Sequence, residues 1–164
     1  MRRRWLIALL SALLAVGLLA GCGGDDDGGG KDDEAAEVKE EFSKGYRPIN
    51  DEFLALGARV GRAVQTAKGK SNSELTTEFG EIADEVRELR TRLDALEAPP
   101  ELEAGQKRLS AAMALVGDDT RQISVAAATG DAEKARTEAQ QLVRHSVEVR
   151  TARRALARET GAKV

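Results

Sequence analysis

Residues 71–102 read SNSELTTEFGEIADEVRELRTRLDALEAPPEL, and they contain the clearest helical pattern in the chain. Apolar residues recur there every three or four positions, the spacing of one face of an amphipathic helix. They are Leu75, Phe79, Ile82, Val86, Leu89, Leu93 and Leu96. Ser71 and Glu74 have the spacing of a capping box, which predicts the start of this helix. Pro99 and Pro100 predict its end and the first turn of the next helix.

Two further segments on the C-terminal side show the same spacing. The first has its apolar face at Leu102, Leu109, Met113, Val116 and Ile123, with Gln106 and Thr120 as polar interruptions. The second has Ala135, Ala139, Leu142, Ser146, Val149 and Leu156 on one face. Gly130 is suited to end the earlier helix and Asp131 to cap the later one. The glycines within the helices are interpreted as points where two helices approach closely; they are Gly57, Gly61, Gly80, Gly105 and Gly117.

The segment before residue 71 is less regular. Phe53, Leu56, Val60, Ala63 and Ala67 lie on one helical face, but Gly45 and Pro48 interrupt its earlier part. Either one helix is kinked at Pro48, or two helices meet there. Apolar residues on both sides of the proline favour one long kinked helix. The short connections then predict an all-α fold, an antiparallel up-down-up-down four-helix bundle over residues 35–164, with its first helix kinked or broken near Gly45–Pro48.

Composition argues against several classes of function. The 164 residues include one Cys and one His, and 3% are aromatic. One cysteine cannot form an internal disulfide or a multi-thiolate metal site, and so few rings argue against a large apolar ligand pocket. The chain has neither a nucleophile motif nor a phosphate-binding glycine loop, and its net charge of −3 provides no basic field for nucleic acid. We therefore expect no enzyme activity, no cofactor, no metal and no nucleic-acid partner.

The N-terminus has the pattern of an export signal. Three arginines at residues 2–4 precede an apolar run over residues 5–20, which ends in Leu19-Ala20-Gly21-Cys22. This ending closely resembles the lipobox of bacterial lipoproteins. The resemblance implies that the Cys22 thiol receives a diacylglyceryl group and that residues 1–21 are removed as a signal peptide. It places the mature chain on the outer face of the cell membrane. The arginines also loosely resemble a twin-arginine signal, so the general and the twin-arginine export routes both stay open.

Residues 22–34 follow as a lipidated cysteine and a tether rich in Gly and Asp. No residue of this segment suits a core, so we expect a flexible linker. Its aspartates lack the ordered spacing of a calcium loop. In the predicted topology, the Pro99–Pro100 turn and the C-terminus lie near the membrane. The turns near Gly69 and near Gly130–Asp131 point outward. Residues 96–102 (LEAPPEL), the Thr-Gly-Asp turn and the basic last helix resemble small helical lipoproteins of high-GC Gram-positive bacteria.

Two groups of residues in the bundle are candidate binding residues. Arg150, Arg154 and Arg158 recur on one helical stripe, with Arg153 beside them and Lys163 beyond. Cations near a helix C-terminus complement its dipole, and acidic residues of the second helix (Glu85, Glu88 and Glu97) could face them. Alternatively, these basic residues contact lipid headgroups or bind an acidic partner.

The second group is His145 with Met113. In an antiparallel hairpin centred on Thr129 both lie at one height, a pairing that resembles the axial ligation of b-type bundle cytochromes. The alternative interpretation is a core methionine and a histidine at the core boundary, which the alanine-rich core favours.

These observations predict a lipoprotein anchored through Cys22 that acts as a non-catalytic helical interaction module. Its expected partner is an envelope protein or a cell-wall component that meets the outer turns. The apolar faces are used within one chain, which predicts a monomer. The alternative is a bundle that carries a small cofactor or hydrophobic ligand, for example haem held by His145 and Met113.

Overall fold

The computed structural model of the protein describes residues 29–164, with side chains from residue 34 onward. Four helices follow one another: α1 (Gly29–Thr66), α2 (Asn72–Asp94), α3 (Pro100–Thr129) and α4 (Ala132–Thr160). A single 3-10 turn, Ala67–Gly69, follows α1. This part of the chain contains no strand, and its helices pack as the predicted antiparallel four-helix bundle. Cys22, the predicted signal peptide and the start of the predicted tether lie outside the described residues.

Local signals in the sequence set the first helix boundary as predicted. The Ser71 side chain accepts a hydrogen bond from the Glu74 amide at 3.3 Å, and the Glu74 carboxylate accepts one from the Ser71 amide at 2.7 Å. The capping box is therefore complete and begins α2. Leu96 follows the end of α2 at Asp94 and lies in the turn, although the apolar spacing places it on the helix face.

The predicted α3–α4 connection is also present. Gly130 ends α3 with a φ of 73°, a left-handed conformation that suits glycine. The Asp131 side chain accepts a hydrogen bond from the Lys134 amide at 2.9 Å and caps α4. At the other end of α3, Pro99 is the N-cap and Pro100 the first helical residue.

The first helix is a single element that continues through Pro48, so the alternative of a break near Gly45–Pro48 is wrong. A proline inside a helix costs about 3 kcal/mol. The helix nevertheless buries Phe42 and Tyr46 before the proline and Ile49 and Phe53 after it. Each large apolar side chain contributes about 1.5 to 3 kcal/mol when fully buried, which outweighs the cost of the proline.

The start of α1 extends beyond the packed part of the bundle. The helix begins at Gly29, inside the segment expected to be a tether. Its side chains from Glu34 to Glu37 and at Glu40 and Glu41 are exposed. Packing against the core begins at Phe42, which is 2% exposed.

The apolar faces predicted for α2 and α3 form the core, and the two polar interruptions of α3 are buried there. The Gln106 amide nitrogen donates to the carbonyl oxygens of Leu93 and Leu96 at 2.7 and 2.8 Å. The Thr120 hydroxyl donates to the Val116 carbonyl at 2.9 Å. Gln106 and Thr120 therefore make hydrogen bonds to backbone carbonyls inside the core, and the apolar face of α3 remains buried around them.

The helical glycines divide into two groups. A Cβ added at Gly105 would lie 3.4 Å from Leu156, and one at Gly117 would lie 3.4 Å from Val86, so these glycines mark the expected close approaches between helices. A Cβ added at Gly57 or Gly61 on α1 would meet no atom within 4 Å. The expectation of a close helix approach is therefore wrong at Gly57 and Gly61, where there is room for a side chain.

Candidate ligand-binding site

The arginines of α4 do not have the acidic neighbours that their positions suggested. Arg150 and Arg154 are exposed, whereas Arg153 is 5% exposed and belongs to the buried residues. Glu85, expected to face them, instead accepts a hydrogen bond from Arg59 of α1 at 2.7 Å. Among residues 34–164, no carboxylate lies within ion-pair distance of Arg150, Arg153 or Arg154.

Arg153 is held by polar groups from α1 and from the segment after α4. Its Nη1 atom donates to Asn50 Oδ1 at 2.8 Å and to the Lys163 carbonyl at 3.1 Å. Asn50 is itself fully buried, and its Nδ2 atom donates to the same Lys163 carbonyl at 3.0 Å. The Tyr46 hydroxyl donates to the Arg153 carbonyl at 3.5 Å. This network joins α1 to the C-terminal end of α4.

Among residues 34–164, the groups that accept hydrogen bonds from the Arg153 guanidinium are neutral oxygens. Burial lowers the pKa of Arg153, the nearby Tyr46 raises it, and the neighbouring charge of Arg154 lowers it further. A guanidinium nevertheless stays protonated in proteins. Burial also raises the pKa of the Tyr46 hydroxyl to about 12, against an opposing effect of Arg153. A buried cation without a carboxylate is costly, and an anion that reached it would lower that cost.

The three arginines border a cavity of about 290 Å³ between α1 and α4. The rest of its lining is almost entirely apolar: Phe53, Leu54, Leu56, Gly57, Val60, Val86, Met113, Val116, Ser146 and Val149. This volume lies at the lower end of the range for small-molecule sites, in keeping with the expectation of no large pocket. Gly57 keeps part of the wall open because it has no side chain.

His145 and Met113 have different neighbours in the structure. Met113 lines the cavity between α1 and α4. The Nδ1 atom of His145 instead lies 2.7 Å from Asp119 Oδ2 on α3, and His145 is not among the residues that line that cavity. Asp119 is about 9 Å further along the α3 axis than Met113, at 1.5 Å per residue. The cavity that Met113 lines therefore does not include His145, and the buried Asp119 is a partner of His145 that the sequence interpretation missed.

A second cleft lies at the end of the bundle where the two outward turns meet. A Cβ added at Gly130 would lie 3.7 Å from the Asn72 amide nitrogen, so the start of α2 touches the α3–α4 turn. The cleft has a volume of about 370 Å³. Its lining is mostly alanine and larger apolar residues, with Lys68, Asn72, Asp131 and Arg136 as polar members. We call it the distal cleft.

Residues 34–164 contain no group of three or more His, Cys, Asp or Glu side chains placed to hold a metal ion. None of the four described helices is both long enough and apolar enough to cross a bilayer.

The chain is therefore an antiparallel helical bundle with two small apolar sites near charged side chains, the cavity between α1 and α4 and the distal cleft. No protein-family model, no curated protein and no solved structure matches the chain.

Proposed function

We propose that this chain is a lipoprotein, anchored through Cys22 to the outer face of the cell membrane, that acts there as a non-catalytic binding module. The sequence Leu19-Ala20-Gly21-Cys22 supports the anchor. The observation that carries the binding role is the distal cleft. It lies at the opposite end of the bundle from the start of α1, and a tethered bundle would present this end to an approaching partner.

The proposed partner is an envelope protein or a cell-wall component, and the protein is proposed to act as a monomer. The distal cleft offers such a partner an apolar floor of alanines, with Lys68, Asp131 and Arg136 at its polar positions. Small apolar patches bordered by a few polar groups are typical of surfaces that bind other molecules.

The anchor is tested by fractionating cells that express the full chain. We expect wild type and a Ser11→Ala control to remain with the membranes. We expect Cys22→Ala to lose acylation, and with it the methylene burial that contributes about 0.8 kcal/mol per group. A Cys22→Ala protein that binds lipid vesicles as strongly as wild type would contradict the anchor.

The binding role is tested by photocrosslinking on intact cells. A crosslinker at Asn72 or Asp131 lies at the distal cleft, whereas one at the exposed Thr151 on α4 serves as a control away from it. We expect the same partner to be captured from both cleft sites and not from Thr151. Repeated absence of any specific product from the cleft sites would contradict the role.

A second candidate function is a carrier of a small hydrophobic ligand, which the cavity between α1 and α4 favours. The haem version has little support, because Met113 lines this cavity whereas His145 does not. An absorption spectrum of protein purified from its own host tests that version directly. A Soret band would support it, and a colourless preparation would contradict it.

A further inference from the structure

We propose that the cavity between α1 and α4 binds an amphipathic anion with one alkyl chain, its head group at Arg150, Arg153 and Arg154 and its chain among the apolar residues of α1. The proposal rests on the second candidate function, the ligand carrier, and assigns a ligand class to its cavity, which is distinct from the distal cleft. It does not depend on what the distal cleft binds.

The preference for an anionic head group follows from the guanidinium of Arg153. The side chain is 5% exposed, and both of its hydrogen bonds are made by Nη1. No fully buried side-chain nitrogen or oxygen among the described residues lacks a hydrogen-bond partner, so Nε and Nη2 must retain access to open space. Arg153 is one of the residues that line the cavity. A carboxylate or phosphate held there would accept hydrogen bonds from these two donor groups.

Arg150 and Arg154 add positive charge at the same place. Both line the cavity, and neither has a carboxylate partner within the described part of the chain. Arg154 is close enough to Arg153 for its charge to disfavour the protonated guanidinium. An anion held between them would replace this repulsion with attraction.

The preference for a single alkyl chain follows from the size and lining of the cavity. Phe53, Leu56 and Val60 of α1 and Val149 of α4 are apolar members of its lining. A volume of about 290 Å³ is small for a ligand site, which suits one chain better than two chains or a fused ring system. Gly57 leaves an opening in the α1 wall, where a side chain would otherwise narrow the space.

The test uses a diazirine derivative of dodecanoate as the probe on membranes from cells that express the full chain. After irradiation, mass spectrometry locates the modified residues. We expect modification of the cavity lining on α1 and α4. Unmodified dodecanoate and dodecyl phosphate should compete, whereas dodecanol should compete about tenfold more weakly because it lacks the charge. Equal competition by dodecanol, or full competition by inorganic phosphate alone at the same concentration, would overturn the proposal.

Two matched pairs of variants separate the cavity from general effects. Arg150→Gln with Arg154→Gln should reduce labelling about fivefold or more, whereas Arg144→Gln with Arg158→Gln removes equal charge outside the cavity and should leave labelling intact. In α1, Gly57→Leu should reduce labelling and Gly61→Leu should not, although both glycines have open surroundings. Equal labelling within both pairs would refute the cavity site.

The two proposals can fail separately in this design. Membrane fractionation and crosslinking from the distal cleft are measured on the same variants. Loss of the predicted labelling pattern, with normal fractionation and normal crosslinking, refutes the ligand site alone. Phosphatidylglycerol vesicles provide one more arm. Vesicle binding that depends equally on the four substituted arginines, and not on Gly57, would indicate a headgroup contact at the surface and would overturn the cavity site. These arginines are Arg144, Arg150, Arg154 and Arg158.

Discussion

Replacing Asn50 by leucine should be among the most destabilising single changes at the surface between α1 and α4. Asn50 is fully buried and makes two hydrogen bonds, one accepted from Arg153 Nη1 at 2.8 Å and one donated to the Lys163 carbonyl at 3.0 Å. A hydrogen bond to a charged group contributes about 1.5 to 3 kcal/mol and a neutral one about 1 kcal/mol. We therefore expect Asn50→Leu to lower the free energy of unfolding by about 2.5 to 4 kcal/mol.

The measurement is urea unfolding followed by far-ultraviolet circular dichroism, completed as a double-mutant cycle with Arg153→Met. When both polar partners are replaced by apolar side chains, no charge is left unpaired. The double variant should therefore be more stable than the sum of the single effects by about 1 kcal/mol or more. Asn72→Leu, at an exposed position, should change stability by no more than about 0.5 kcal/mol. Additive effects of Asn50→Leu and Arg153→Met would refute the role assigned to this network.

Two further predictions concern α1. Gly57→Ala should raise the free energy of unfolding, measured by urea titration, by about 0.5 to 1 kcal/mol. Gly45→Ala should be less stable than Gly57→Ala by about 1 kcal/mol or more, because its Cβ would lie 2.7 Å from Leu96 Cδ2 and Leu96 must move. Equal stability of the two variants would contradict this packing. Burial raises the pKa of Tyr46 in the folded state to about 12, against 10.0 for the ordinary group. The buried hydroxyl therefore contributes its full stabilisation of the fold below pH 10. The free energy of unfolding falls as the pH rises toward 12, by up to about 2.7 kcal/mol. Tyr46 is the only tyrosine, so absorbance at about 295 nm reports its phenolate directly, and Tyr46→Phe should lack this loss; a midpoint near 10 would contradict its burial.

The features that sequence reasoning predicted well are those with local causes. The α2 face and the capping box at Ser71 and Glu74 depend on residues within a few turns of one another, and the structure confirms both. Continuity of α1 at Pro48 has a different cause. It depends on burial of Tyr46 and Ile49 against other helices, a tertiary contribution that local propensity does not contain.

The candidate site was only partly predictable. Arg153 continues the apolar face of α4 at the same three-or-four spacing as Val149 and Leu156, so its inward position could have been found from the pattern. Its charge instead suggested an exposed residue, and nothing in the chain near it indicates Asn50 as its partner. The pairing of His145 with Asp119 depends on how far two adjacent helices are offset, which the sequence of the turn does not determine closely.

The exposed start of α1 has a consequence for how a ligand could reach the cavity between α1 and α4. Residues 29–41 would form a spacer about 20 Å long, at 1.5 Å per residue, between the end of the anchor segment and the first packed ring at Phe42. With acylated Cys22 below it, the spacer would hold the α1–α4 cavity above the headgroups. Its exposed glutamates, among them Glu37 and Glu41, would also resist lying flat on an anionic bilayer. An amphiphile would then have to leave the bilayer completely before it entered the protein, so the bundle would receive molecules in transit through the aqueous layer and would not extract them from the leaflet beneath.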